Sequence, residues 1–297
     1  QPFVNAPYKH AMNQHRHKPS AYETQVLEEI RAWRNPPESV FSWASQKVSE
    51  SWNAVTDLAH KIPGMEWAME NVVTGVLELT NEITQDSVWT EAVLKDFHQR
   101  GHLINDLPDI HGLDLAHIDE VMFGLDRKYV GLASAEGVAT GAAGAAGIVP
   151  DLVALVAINL RASGEMATYC GFDITDPAER VFALEILDLV ARPGNNTKSV
   201  TLAPAVRTAS RVARQHGTQI LEQVGVGNVI EGIVRRLGMN LTEKKLAQMV
   251  PVTGALLGGG LNYLYTTKVC RTASYLYRER VLEAKYGAQF VARVDDN

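Results

Sequence analysis

Gly131-Leu-Ala-Ser-Ala-Glu-Gly-Val-Ala-Thr-Gly-Ala-Ala-Gly-Ala-Ala-Gly-Ile-Val-Pro-Asp-Leu-Val-Ala-Leu-Val-Ala-Ile-Asn-Leu-Arg161 reads as two helices set back to back. Between Gly137 and Leu160 its only formal charge is Asp151. Glycines 137, 141, 144 and 147 recur every three or four residues, which on a helix makes one smooth stripe open to close approach by another backbone. Pro150 and Asp151 mark a helix start, where a carboxylate meets free backbone N–H groups and the positive end of the helix dipole. They also divide the apolar run into pieces shorter than the roughly twenty residues a membrane span needs. Gly and Ala add little transfer energy beside Leu or Ile. A buried helical hairpin is therefore expected over an inserted one, with a peripheral, amphitropic protein between the two readings.

Outward from the hairpin the pattern stays helical. Val26, Leu27, Ile30 and Trp33 share one face of a helix over 21–35, which Pro36-Pro37 ends. Further helices are expected over 38–61, after Pro63-Gly64, and over 86–100. A helical stretch over 117–149, interrupted near Gly131, leads to helices at 150–170 and 177–191. Beyond Pro193-Gly194-Asn195-Asn196 the pattern predicts helices at about 203–223, 226–238, 242–249 and 251–286. Strand-like alternation is confined to a short ambiguous piece at 197–202. The expected fold is all-α, a compact multi-helix bundle of about ten helices around a central Gly/Ala-rich hairpin. A polar tail at 1–20 would precede a single helical domain at 21–290, with a subdivision near 193–197 and a C-terminal tail at 291–297.

Composition limits the function classes. The chain has 297 residues, 46% of them hydrophobic and 21% charged, which fits a globular protein with a substantial core. A net charge of −6 argues against general nucleic-acid binding, which needs a clustered basic surface. Cys170 and Cys270 form no metal-spaced cluster and are expected as free core thiols. The chain begins at Gln1 without an apolar leader pattern, so a cytoplasmic protein, peripheral to the inner face of the membrane, is expected.

Candidate chemistry falls in three places. His98 and His102 are four apart and, with His111, form a weak metal-site pattern; Gly101 lies between the first two, and a solvated loop is the stronger reading. Embedded in the apolar region are Glu136, Asp151, Arg161 and Glu165. Asp151 and Glu165 fall on one helical face four turns apart, and Tyr169 extends that face. A structural polar network outweighs an acid/base site built from Glu136, Asp151 and Glu165. Asn159 and Tyr169 join the candidates for that network. The Gly-rich segment Thr253–Tyr263 lacks the residues of a phosphate loop, and its small residues are expected to pack a helix against the Gly137–Gly147 stripe. Asn262 would then be a buried amide cross-linking helices. Arg207, Arg211 and Arg214 recur at helical spacing and are candidates for contact with anionic lipid or an acidic partner.

Ala135-Glu-Gly-Val-Ala-Thr-Gly-Ala-Ala-Gly, Pro150-Asp151, Tyr169-Cys-Gly-Phe-Asp173, Asp176-Pro-Ala-Glu-Arg180 and Val252-Thr-Gly-Ala-Leu-Leu-Gly through Asn262-Tyr together resemble the EcsC protein family over about residues 20–285. The resemblance implies a bacterial helical protein, named from a gene beside an ABC transporter, without a settled activity or a catalytic motif. The family's Ala-Asp-x-Pro segment is matched here in the order Pro-Asp-Leu, which departs from its local geometry. The leading expectation is a non-enzymatic accessory protein, without a cofactor, that binds an apolar or lipid-like ligand, the membrane surface or a transporter protein. A hydrolase with a carboxylate-lined hydrophobic pocket and a plain interaction scaffold are the alternatives.

Overall fold

Among the described residues, stretches in which apolar residues recur at three and four are helical. The computed structural model describes residues 18–34, 65–82, 88–141, 148–191, 226–248 and 260–292. Ten α-helices appear among these residues, with no strand. They are α1 (Ala21–Arg34), α2 (Met65–Glu82), α3 (Val88–Gln99), α4 (Leu115–Val121) and α5 (Leu125–Gly141). The remainder are α6 (Ile148–Tyr169), α7 (Pro177–Ala191), α8 (Val226–Gln248), α9 (Gly260–Tyr286) and α10 (Ala288–Ala292). A 3-10 turn at Leu107–Gly112 joins α3 to α4. The helices expected at 38–61 and 203–223, the ambiguous piece at 197–202 and glycines 144 and 147 lie outside the described residues.

Central among these elements is α6, which packs against α2, α3, α5, α7, α8 and α9. Leu152, Leu155, Val156, Leu160, Ala162, Met166 and Ala167 are all buried, on more than one side of the helix. A helix so surrounded needs apolar residues on most sides, which explains why its charge is confined to Asp151, Arg161 and Glu165. Asp176 opens α7 by accepting a 2.8 Å bond from the Ala178 N–H, with Pro177 at the first helical position.

Two boundaries differ from the sequence pattern. The break expected near Gly131 falls at 122–124, where Gly124 takes φ +86°; Gly131 continues α5 as an exposed helical residue. The two helices expected at 226–238 and 242–249 are one, α8. Gly238 is a packing position and not a helix end: a Cβ there would lie 3.3 Å from Val73 Cγ2 of α2.

Buried ionic clamps fasten α1 to the end of the chain. Glu23, 1% exposed, accepts from the Tyr286 hydroxyl at 2.5 Å, from Lys285 Nζ, and from the backbone N–H groups of Ser20 and Leu115. Burial alone would raise its pKa, but the bonds from Lys285 and Tyr286 outweigh that and hold it below the usual 4.5. At the other end of α1, Arg34 pairs with Glu279 of α9, both buried.

The stripe of small residues acts at Gly137. A Cβ there would lie 2.6 Å from Asn262 Nδ2 and 3.2 Å from Asn262 Cβ, so α9 approaches α5 as closely as glycine allows. Gly131, two turns earlier, has nothing within 4 Å of the same position. Gly137→Ala should therefore cost roughly 1–3 kcal/mol through overpacking. Gly131→Ala should stabilise by about 0.4–1 kcal/mol, because the unfolded chain loses entropy while the helix meets no obstacle. Urea denaturation of both variants checks this; equal shifts of one sign would show that α9 does not close on Gly137.

Candidate functional site

The start of α6, the start of α9 and the last turns of α5 meet in a buried polar junction. Asn262 Nδ2 donates to Glu136 Oε2 at 3.0 Å and to Asp151 Oδ1 at 3.1 Å. Thr140, one turn beyond Glu136, donates its hydroxyl to the same Asp151 Oδ1 at 2.5 Å. Asp151 is 1% exposed and Asn262 is fully buried. Further along, Asn159 Nδ2 donates to the Leu155 carbonyl at 2.7 Å and to Thr266 Oγ1 at 3.0 Å. Asn262 is thus the cross-linking amide that its place in a small-residue helix suggests. Asp151 lies in the first turn of α6, and its Oδ1 also ties that helix to α5 and α9.

Glu165 belongs to a second cluster. It follows Asp151 by fourteen residues, about 21 Å along the helix axis at 1.5 Å per residue. There Lys128 Nζ binds both its oxygens at 2.7 and 3.0 Å, and the Tyr129 hydroxyl also donates to it. Burial first, and then Glu165, pushes the Tyr129 phenol pKa far above 10; Arg161 acts on the same phenol in the opposite sense. Tyr169 donates to Asp96 Oδ2 of α3 at 2.5 Å. The structure therefore brings together Glu136, Asp151 and Asn262, with Asn159 nearby on α6. It gathers Glu165, Arg161 and Tyr169 toward the far end of α6. Thr140, Lys128 and Tyr129 complete these clusters without having stood out in the sequence.

The histidines face separate partners. Gly101 and His102 close α3 with bonds from their N–H groups to the carbonyls of His98 and Phe97, so His102 has left the helix that carries His98. His98 Nε2 bonds the Ile104 carbonyl at 2.6 Å, and the His102 ring packs 4.8 Å from that of His117. His111 Nε2 donates to the Cys170 carbonyl at 2.9 Å. Among the described residues, no three or more His, Cys, Asp or Glu side chains are grouped to hold a metal. The acidic residues of this loop have local work: Asp106 and Asp109 form a capping box, and Asp114 caps α4. Arg207, Arg211 and Arg214 lie outside the described residues.

The Tyr169–Asp173 and Asp176–Arg180 motifs converge on one buried cation. Arg280 of α9 lies 3.9 Å from the Phe172 ring centroid and 4.5 Å from that of Phe182, while Glu179 accepts from both its terminal nitrogens. Gly171, at φ +80°, closes α6; a Cβ there would strike the Leu107 carbonyl at 2.7 Å and His111 Nε2 at 2.8 Å. These motifs form the lock between α6, α7 and α9. The model of the EcsC protein family matches residues 24–282.

The chain belongs to the EcsC protein family.

That EcsC match begins beside Glu23 and ends at Leu282, so it takes in every helix of the bundle from α1 through nearly all of α9. Two relatives come from Bacillus subtilis (strain 168). One, "Uncharacterized protein YdbA", is 24% identical over 265 residues, covering 86% of this chain and 91% of the relative. The other, "Protein EcsC", is 26% identical over 179 residues, covering 60% of this chain and 70% of the relative. No solved structure matches the chain. The EcsC resemblance rests on motifs whose work here is packing: Gly137 at the α5–α9 contact, Asn262 in the junction, and Phe172 and Glu179 around Arg280.

Removing the shared donor should be costly. Asn262→Leu leaves Glu136 and Asp151 without their bridging amide and is expected to destabilise by about 3 kcal/mol; Asp151→Asn, which keeps a polar group, by about 1–2 kcal/mol. Calorimetry of both variants checks the order, and two unchanged melting temperatures would remove the junction as a structural element. His111 supplies a pH test. Burial, with a smaller contribution from Arg280, holds its pKa below the ordinary 6.5, against the raising effect of the Cys170 carbonyl. A base with a depressed folded pKa contributes stability above its unfolded pKa and loses it as pH falls through that value. The wild-type protein should lose more stability than His111→Gln between about pH 7 and about pH 5. Parallel pH profiles would show that the ring is not held neutral.

Proposed function

We propose that this protein is a non-enzymatic accessory protein that docks on a lipid bilayer through the uncharged outer face of α5 and the start of α9. The observation that carries the reading is an exposed surface without charge. Leu132 and Val138 on α5, and Tyr263 and Leu264 on α9, are 51%, 65%, 49% and 45% exposed. Val138 and Tyr263 each follow a member of the Gly137–Asn262 contact, so they flank the closest approach of the two helices. From Val130 to Pro150 the only charged residue is Glu136, which is turned inward to Asn262; from Leu246 to Thr267 there is none. The solvent face of an amphipathic helix normally carries charge, and an apolar face in its place marks an interaction surface.

A bilayer suits this surface because the side chains are small or aliphatic with one tyrosine, and no ion pair has to be matched on the other side. The junction supports the same reading. Asp151 is held inside by Thr140 and Asn262, so it presents no charge to an approaching apolar phase. Contact would be interfacial: among the described residues no helix is long and apolar enough to cross a membrane. The hydrolase reading has less support, since a general acid or base must reach its substrate and Asp151 is 1% exposed. Docking beside a membrane transporter is the setting that the family resemblance suggests.

Liposome flotation tests the proposal. Binding should survive high salt and need no anionic lipid, because apolar burial is not screened. Val138→Asp with Leu264→Asp should reduce the floated fraction at least about tenfold while leaving the melting temperature within the small range typical of surface changes. Binding that vanishes with salt would transfer the interaction to cationic groups such as Arg207, Arg211 and Arg214. A protein that never floats, or a double variant that floats like wild type, would overturn the proposal.

A further inference from the structure

At the charged end of α5 the molecule opens into a cleft of about 410 Å³ beside the corner between α4 and α5. That volume lies within the range of small-molecule sites. Its apolar lining includes Met122, Leu125, Val130 and Met166. Three arginines and two aspartates also line it. Arg278 is already committed: its Nε donates to Asp119 Oδ1 at 2.7 Å, and the Tyr22 hydroxyl occupies Oδ2 at 2.6 Å.

The other two guanidinium groups are differently placed. Arg127 lies 5.2 Å from the centroid of the Phe123 ring, and Arg271 lies 5.7 Å from that of Tyr275. Neither forms an ion pair among the described residues, and the one remaining carboxylate of the cleft is Asp126. Stacking on a ring orders the planar group and leaves its N–H edge free for a carboxylate or phosphate. Phe123, 75% exposed, stands at the same corner. The cleft holds no histidine, and burial pushes the Cys270 thiol up to about 12, so that the thiol stays protonated. The lining favours binding over covalent chemistry.

We infer that this cleft binds a small amphiphilic anion, its carboxylate or phosphate held by Arg127 and Arg271 and its hydrocarbon laid over Met122, Val130 and Met166. The site shares no lining residue with the proposed bilayer face, although Val130 and Thr267 adjoin it. It requires no turnover, and it commits the arginine pair to recognising a head group while the apolar wall selects against small inorganic anions.

Isothermal titration of the full chain with decanoate and with decyl phosphate, both below their micelle-forming concentrations, tests the inference. Decanol and decyltrimethylammonium are the neutral and cationic controls. One-site binding of at least one anion is expected, at least about tenfold tighter than either control. Arg127→Gln with Arg271→Gln should weaken anion binding at least about tenfold and leave decanol unchanged, since only the charged head group is lost. Thr267→Trp, a change at an exposed position on the wall, should block both classes. A preference between decanoate and decyl phosphate assigns the head group. Wild-type protein that binds neither anion, that binds the cation equally well, or that binds anions undiminished after the double Arg substitution with an unchanged melt, overturns the inference. Val138→Asp with Leu264→Asp should bind decanoate as wild type does, so loss of bilayer docking and loss of this site are read separately.

Discussion

One side-chain amide determines how three helices of this protein meet. Asn262 enters the space left by Gly137 and gives its two hydrogens to carboxylates on two different helices, Glu136 of α5 and Asp151 of α6. Helices faced with Gly, Ala and Thr pack closely but carry few distinctive side chains to fix their register. A polar contact that is satisfied in one register alone supplies that specification, as a single buried Asn does in coiled coils. The arrangement has a cost. Asn262 Oδ1 and Asn159 Oδ1 are buried and accept no hydrogen bond among the described residues, and a buried acceptor in that state costs about 1–3 kcal/mol. That cost is consistent with a junction that selects one packing and not with one that maximises stability.

The remaining polar contacts of the core follow the same logic at greater distance. Arg280 is enclosed by Phe172, Phe182 and Glu179, so the loop after α6 and the first turn of α7 are bound to α9 through one guanidinium. Glu23 collects Lys285, Tyr286 and two backbone N–H groups, which fastens α1 to the end of α9. Long-range closure therefore depends on a few buried ions with fully specified partners. The apolar side chains around α6 supply most of the burial energy, at about 1.5–3 kcal/mol for each large residue.

Much of the fold was legible because its signals are local. Pro177 beside Asp176 marks the start of α7 at its observed residue, and the uncharged run after Gly137 announces a helix enclosed by others. Asn262 could be read as a cross-link because an amide in a run of Gly, Leu and Tyr has few other roles. Gly131 misled, since a glycine that interrupts a pattern and one that continues it look alike until φ is known; the break needed the positive φ of Gly124. The candidate site was legible as a set of residues but not as a geometry. Glu136, Asp151 and Glu165 share an apolar setting in the sequence, yet only the first two meet across helices. Arg271 and Tyr275 are four residues apart on α9, a spacing that places them on one helical surface, whereas Phe123 reaches Arg127 from the turn that precedes α5. That these two pairs converge on one cleft depends on the antiparallel meeting of α5 and α9, which no local pattern encodes.

The charge distribution along α5 makes its two proposed roles compatible. Asp126, Arg127 and Lys128 crowd its first turn, whereas Glu136 is the only charge beyond them and points into the core. Arg127 and Val138 are eleven residues apart, about 17 Å along the axis. That is roughly two Debye lengths at physiological ionic strength, whereas Leu132, at the near end of the apolar face, lies only about 8 Å from Arg127 along the axis. The uncharged end in turn requires the Glu136 and Asp151 carboxylates to be satisfied internally. The bilayer face thus leans on the same amide: Asn262, with Thr140 on Asp151, holds the Glu136 and Asp151 carboxylates toward the interior and away from the face that carries no charge.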